Sequence, residues 1–227
     1  DNLDKKYFPW RQKDPMGFVF KYENYYLRLI EKEFIEQVHE MFNCGLVDSL
    51  IKEGLFPASK IVEFKGHFAV KHECAGLSIL PHEMTFQELK LASLCALKVA
   101  RIAREFQYNM IDCHALNIVF QGTKPIYVDL GSFRKMKDQS VDFAPHKEFR
   151  ASYLRPLKLW SDGNERFTKC LINSGNLIKS LTFYRLKFGM VLKFMPIGID
   201  DKFEKFLYPF FTVRTISSSK TNSYSFL

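Results

Sequence analysis

Between Met110 and Phe133, three side chains able to meet cations and hydroxyls stand at the ends of two predicted strands, and this stretch restricts the available folds more than any other. Asn117-Ile118-Val119-Phe120 and Ile126-Tyr127-Val128 read as short β-strands, joined by the turn-rich Gln121-Gly122-Thr123-Lys124-Pro125. A hairpin returns its second end to its first, so Asn117 and the Asp129 that follows Val128 are expected on one rim, with Asp112 just upstream beside the same cleft. Taken singly, Asp112-Cys113-His114-Ala115-Leu116-Asn117 also reads as a turn closed by side-chain bonds to local backbone, and Asp129-Leu130-Gly131 as a common loop tripeptide. The two in this order, with strands between them, favour a site.

The residue types suit one chemistry. Phosphoryl transfer from ATP requires a carboxylate near the attacking hydroxyl and ligands that hold Mg²⁺ against the phosphates. Asp112 suits the first role, and Asn117 with Asp129 the second, because Mg²⁺ prefers hard oxygen donors. Asp112 to Asn117, followed by Val128-Asp129-Leu130-Gly131, resembles the catalytic and metal-binding loops of the protein-kinase-like superfamily. The likeness is nearest to the branch of aminoglycoside phosphotransferases and choline kinases, where a His likewise follows the Asp at the second position. Segments Gly17 to Ile30, Leu80 to Phe133 and Phe143 to Trp160 are also similar to the kinase-like region preceding a SAM-dependent methyltransferase domain in some bacterial surface-glycan or nodulation-type proteins. They cover under half of the chain, and only the Asp/Asn/Asp core is specific.

This resemblance implies an α+β, protein-kinase-like two-lobed fold, with a reduced β-rich N-lobe over 1–76, a mainly helical C-lobe over 77–216 and a mobile tail over 217–227. It implies ATP and Mg²⁺ as cofactors, Asp112 as catalytic base or hydroxyl-orienting group, His114 ordering the loop, and Asn117 and Asp129 as metal ligands. Arg28 falls where protein kinases place a Lys, with Glu36 as its acidic partner, and the backbone at Glu73 and Cys74 would meet an adenine edge. No activation segment ending in Ala-Pro-Glu is present, which points to a small-molecule or sugar acceptor. The alternative is a pseudokinase-like binding or regulatory module working with a methyltransferase in surface-glycan modification. It draws on Gly17 standing without a G-x-G-x-x-G loop and on Arg in place of Lys, two cations of different geometry. There is no Gly-rich SAM loop, so methyl transfer is not expected of this chain.

Periodicity supplies the elements around the loops. Gly17 to Tyr22 and Tyr25 to Ile30 read as a hairpin about Glu23-Asn24, and Ser59 to Phe64 and His67 to His72 as a second. Between them, Ile35, Val38 and Phe42 have helical spacing, with Glu33, Glu36 and Glu40 acidic. Thr85 followed by Glu88 is a capping-box signature that opens a long helix through Leu89, Leu91, Leu94, Leu97, Val99, Ile102 and Phe106, whose Leu stripe is expected in the core. Asp142 to Trp160 reads as helices interrupted at Pro145 and Pro156, with Arg150 and Arg155 capping and solvating them. Leu181 to Phe194, basic and aromatic, reads as core helix and strand with Lys stems reaching water.

Composition sets outer limits. With 227 residues, 47% hydrophobic and 15% aromatic, the chain can bury a sizeable core and is not a disordered one. The net charge of +8 favours anionic partners, nucleotide phosphates among them, while the absence of any motif makes nucleic acid an unlikely one. Five scattered cysteines without a C-x-x-C pair argue for a reducing compartment and against zinc. No apolar run is long enough for a transmembrane segment, and Asp1 to Lys6 lacks a signal peptide's apolar core, so the expected location is cytoplasmic.

Overall fold

Alternating side chains build the first half. In the computed structural model, which describes residues 14–136 and 145–173, β1 (Gly17–Tyr22) and β2 (Tyr25–Ile30) pair antiparallel around Glu23-Asn24, as the alternation predicts. A 3-10 turn, Lys32–Phe34, leads into α1 (Ile35–Asn43), and α2 (Leu46–Lys52) follows. The second predicted hairpin forms from β3 (Ser59–Phe64) and β4 (His67–Glu73), and its β4 joins β2, giving the sheet order β1-β2-β4-β3.

Because strand side chains alternate in direction, this sheet has two distinct faces. Val19 lies opposite Arg28 and Tyr26 opposite His72, and all four line a cavity beneath the sheet. The other face carries Phe20, Leu27, Leu29 and Ala69, packed with Phe18, Tyr22, Tyr25, Val62 and Phe64 as a small aromatic cluster.

Helices follow. Thr85 caps α3 (Phe86–Glu105): its hydroxyl accepts from the Glu88 amide at 3.2 Å while the Glu88 carboxylate accepts from the Thr85 amide at 2.7 Å. This satisfies two of the amides that a helix start leaves unpaired. Leu89, Ala92, Cys95, Ala96, Val99, Ile102 and Ala103 of α3 are buried. They join a core that also takes Val38 and Met41 of α1, Leu46, Val47 and Leu50 of α2, Val70 of β4 and Tyr153. Residues on both sides of position 76 therefore share one apolar interior.

Short elements complete the described residues: β5 (Tyr108–Met110), β6 (Ile118–Gln121), β7 (Lys124–Tyr127) and β8 (Phe133–Lys135), with β6 paired to β7 and β5 to β8. The loop between β6 and β7 is tighter than its composition suggests. It is reduced to Gly122-Thr123, and Pro125, having no amide to offer, is accommodated in a ladder of only two strands.

Pro156 does not break the last helices. From α4 (His146–Phe149) the chain passes through a π turn, Arg150–Leu154, into α5 (Arg155–Ser161), whose first turn holds Pro156. A widened turn relaxes the i to i−4 ladder at the point where the proline cannot donate. α6 (Glu165–Asn173) ends the described residues, and Phe143, the Leu181 to Phe194 segment and the 217–227 tail lie outside them. No helix among the described residues is long and apolar enough to cross a membrane.

Candidate functional site

The cavity beneath the sheet, about 1000 Å³, collects the three polar groups singled out in the sequence: Asp112, Asn117 and Asp129 all line it, together with Arg28. Local backbone explains their convergence. A 3-10 turn, Ala115–Asn117, delivers Asn117 to the start of β6, whose hairpin partner β7 ends just before Val128 and Asp129. The Val128 amide donates to the Asn117 carbonyl at 2.9 Å, closing the open end of the hairpin and fixing the separation of the two side chains.

Asp129 caps the next 3-10 turn, Leu130–Ser132. Its Oδ1 accepts from the Gly131 amide at 3.0 Å and from Arg28 Nη2 at 2.7 Å, and its Oδ2 accepts from the Ser132 hydroxyl. Arg28 is 4% exposed and carries a second carboxylate, Asp14, on Nη1. Asp14 is itself held by the Met16 amide at 2.9 Å. The expected Arg28 to Glu36 pair is thereby corrected: Glu36 faces solvent on α1, whose adjoining Gln37 instead donates to the Phe133 carbonyl at 2.7 Å. Register decides this, since β2 points Arg28 into the cavity, where Asp14 and Asp129 already stand.

Asp112 is framed from three directions. Its Oδ1 accepts from the His114 amide at 2.9 Å, and its carbonyl accepts from the Tyr127 hydroxyl at 2.8 Å. The His114 imidazole lies with Nε2 3.8 Å from the same Oδ1 and 2.8 Å from Glu148 Oε1. Burial raises the Asp112 pKa, with Glu148 and Asp129 adding repulsion against its charge. The hydrogen bond to Glu148 raises that of His114. Burial opposes ionisation of Glu148, but the His114 and Cys113 hydrogen bonds outweigh it and hold that carboxyl low. The Cys113 thiol is buried and pushed upward, first by burial and then by Glu148, which makes it a packed side chain and not a nucleophile.

The connection after β4 departs from expectation in detail. Glu73 and Gly76 line the cavity and Cys74 does not; the Glu73 amide is already donated to the Ala58 carbonyl at 2.8 Å, so it is closed to a ligand. Leu77 and Phe120 exchange two backbone bonds of 2.9 Å, tying the connection to β6. Three buried polar atoms on the cavity-lining residues make no hydrogen bond: Arg28 Nε, His72 Nε2 and Asn117 Nδ2.

No family model matches the chain. Over 161 residues it is 27% identical to nodulation protein NoeA of Rhizobium meliloti (strain 1021), a match covering 66% of this chain. The chain spans about a third of that relative, 32% of its length, so the similarity is distant and partial.

Asp14, Ser132 and Glu148 belong to the site and went unnoticed in the sequence. Each acts on a residue that tertiary structure brings to it, apart from Ser132, whose place three residues after Asp129 in an Asp-x-x-Ser turn was a readable signal.

Proposed function

We propose that this chain, in a protein-kinase-like arrangement, transfers the terminal phosphoryl group of ATP to a hydroxyl of a small molecule or sugar. The observation that carries the reading is the convergence of Asp112, Asn117, Asp129 and Arg28 on a single cavity. Val19, Tyr26, Val119 and Val128 give that cavity apolar walls suited to a planar base. Ile111 and Leu116, 47% and 59% exposed, flank Asp112 on the cavity wall and offer an apolar rest for the carbon skeleton of an acceptor.

Asp112, its pKa raised by burial, is suited to take the acceptor's proton as the hydroxyl oxygen bonds to phosphorus and the bond to the leaving diphosphate breaks. Asn117 Oδ1 and Asp129 would hold Mg²⁺. Oδ1 of Asp129 already accepts two hydrogen bonds, but Oδ2 accepts one, from Ser132, and keeps a lone pair for a cation, so the donor set fits. Mg²⁺, when bound, neutralises phosphate charge.

A second reading is favoured by the Arg28 to Asp129 pair, which already sets a cation against the metal-ligand carboxylate. In it the chain is a pseudokinase-like binding or regulatory module that takes nucleotide without metal or not at all, with a methyltransferase as partner.

Calorimetric titration with ATP, with and without Mg²⁺, separates the two. Under phosphotransfer, binding requires Mg²⁺ and weakens about tenfold or more in Asp129→Asn, a loss of at least about 1.4 kcal/mol, while Asp112→Asn keeps binding and loses turnover. Metal-independent binding supports the module. No binding by folded protein removes the phosphotransfer reading and leaves the module, recognising its partner without nucleotide.

A further inference from the structure

We propose that Glu148 is a positioning residue: from α4 it grips Cys113 and His114 and so fixes where the Asp112 carboxylate stands in the cleft. The inference rests on the phosphotransfer reading above. Both Glu148 oxygens are committed to the loop, Oε2 accepting from the Cys113 amide at 2.7 Å and Oε1 from His114 Nε2 at 2.8 Å. The residues so held follow Asp112 directly, and the His114 amide is the donor to Asp112 Oδ1. The Tyr127 hydroxyl on the Asp112 carbonyl anchors the same residue from β7. The Asp112 main chain is thus tied to a strand and its carboxylate to a loop, and the loop is tied to a helix far along the chain.

Charge follows the geometry. The imidazole stands between two carboxylates, Asp112 and Glu148, with the Cys113 thiol beside Glu148 and Asp129 acting on Asp112 from the opposite rim. Removing the Glu148 charge frees the ring to turn and lets the loop drift, and a displacement of about 1 Å at a reacting group costs as much as a hundredfold in rate. Nucleotide contacts at Arg28, Asn117 and Asp129 do not pass through Glu148. Asp112, His114 and Glu148 place ligand atoms within 4.8 Å of one another, so a divalent transition metal is the competing occupant.

The test uses the full chain and its Glu148→Gln and Glu148→Asp variants. MgATP affinity is measured by calorimetry, phosphate release from ATP with water as acceptor is followed against pH, and the His114 ring is titrated by NMR. The expected result for Glu148→Gln is affinity within about twofold of wild type and phosphate release lower by about tenfold to a hundredfold. The His114 inflection and the pH profile move down together, and Glu148→Asp recovers part of the rate. Unchanged release and an unchanged profile overturn the proposal, as does MgATP binding lost together with turnover, which marks a purely structural role. Stoichiometric Zn²⁺ binding abolished by His114→Ala overturns it in favour of a metal site. Wild type that binds no MgATP overturns the phosphotransfer reading and this inference with it. Wild type that binds MgATP yet releases no phosphate overturns the inference alone.

Discussion

His72 and His114 respond to acid in opposite senses. Burial, reinforced by Arg28, lowers the His72 pKa from 6.5 to about 3. The unfolded chain accepts that proton near 6.5 while the folded ring refuses it down to about 3, so stability falls as pH drops through this window. The raised pKa of His114 contributes stability that is full below about 6.5 and disappears as pH rises through the raised value. His72 is displaced further and is 5% exposed, whereas the His114 side chain is 36% exposed and screened by solvent, so His72 dominates. Urea unfolding should lose stability between pH 6.5 and 5, above the range where most carboxylates titrate, and His72→Leu should flatten that slope.

Gly131 shows how tightly the ion cluster is built. A Cβ there would stand 2.8 Å from Arg28 Nη1, 3.0 Å from Asp14 Oδ2 and 3.1 Å from Asp129 Oδ1. Gly131→Ala must push the buried guanidinium away from a carboxylate, at an expected cost of about 1–3 kcal/mol by urea denaturation. An unchanged midpoint would mean that Arg28 moves without penalty. The convergence of Asp112, Asn117 and Asp129 on one cavity was legible because a local spacing joins them, whereas the places of Asp14 and Glu148 were not, because their partners lie outside any local pattern: Asp14 meets Arg28 across 14 residues, and Glu148 meets Cys113 across 35.

Both major hairpins and α3 could be read from the chain because their information is local: alternation in the strands, a capping box and a 3.6-residue stripe in the helix, although Leu91 of the expected stripe is exposed and the small Ala92, Cys95 and Ala96 take the buried face. The capping box is testable where it is exposed. Thr85→Ala should cost about 1 kcal/mol, and pairing it with Glu88→Ala should cost less than the sum of the two, because each side chain serves the other's amide. Strict additivity in a double-mutant cycle would mean that the two bonds act independently. β5 and β8 were not legible, since strands of three residues show no period and are specified by the partner they find. The π turn ahead of Pro156 was hidden for a related reason: a proline marks a ladder that must adjust but not how the adjustment is made.

Across the described residues one interior joins the sheet, α1, α2 and α3. The lobe boundary at residue 76 is what the resemblance implies, and a resemblance does not reveal which faces will be buried together. Shared burial predicts shared unfolding. Hydrogen exchange should give α1, β4 and α3 amides one common opening free energy, whereas separate values on the two sides of residue 76 would mean two cooperative units.

The connection between β4 and α3 has a kinetic consequence. Leu77 is bonded twice to Phe120, and Gly76 at φ +146° lies so close that a Cβ would sit 2.3 Å from the Phe120 carbonyl oxygen. That side of the cleft is a latch already fastened, so binding of the proposed nucleotide should carry little further entropy loss there. Entry of the proposed nucleotide past such a wall should be governed by encounter: in stopped-flow mixing its association rate should rise in proportion to concentration, and levelling off would mean that a gate opens first.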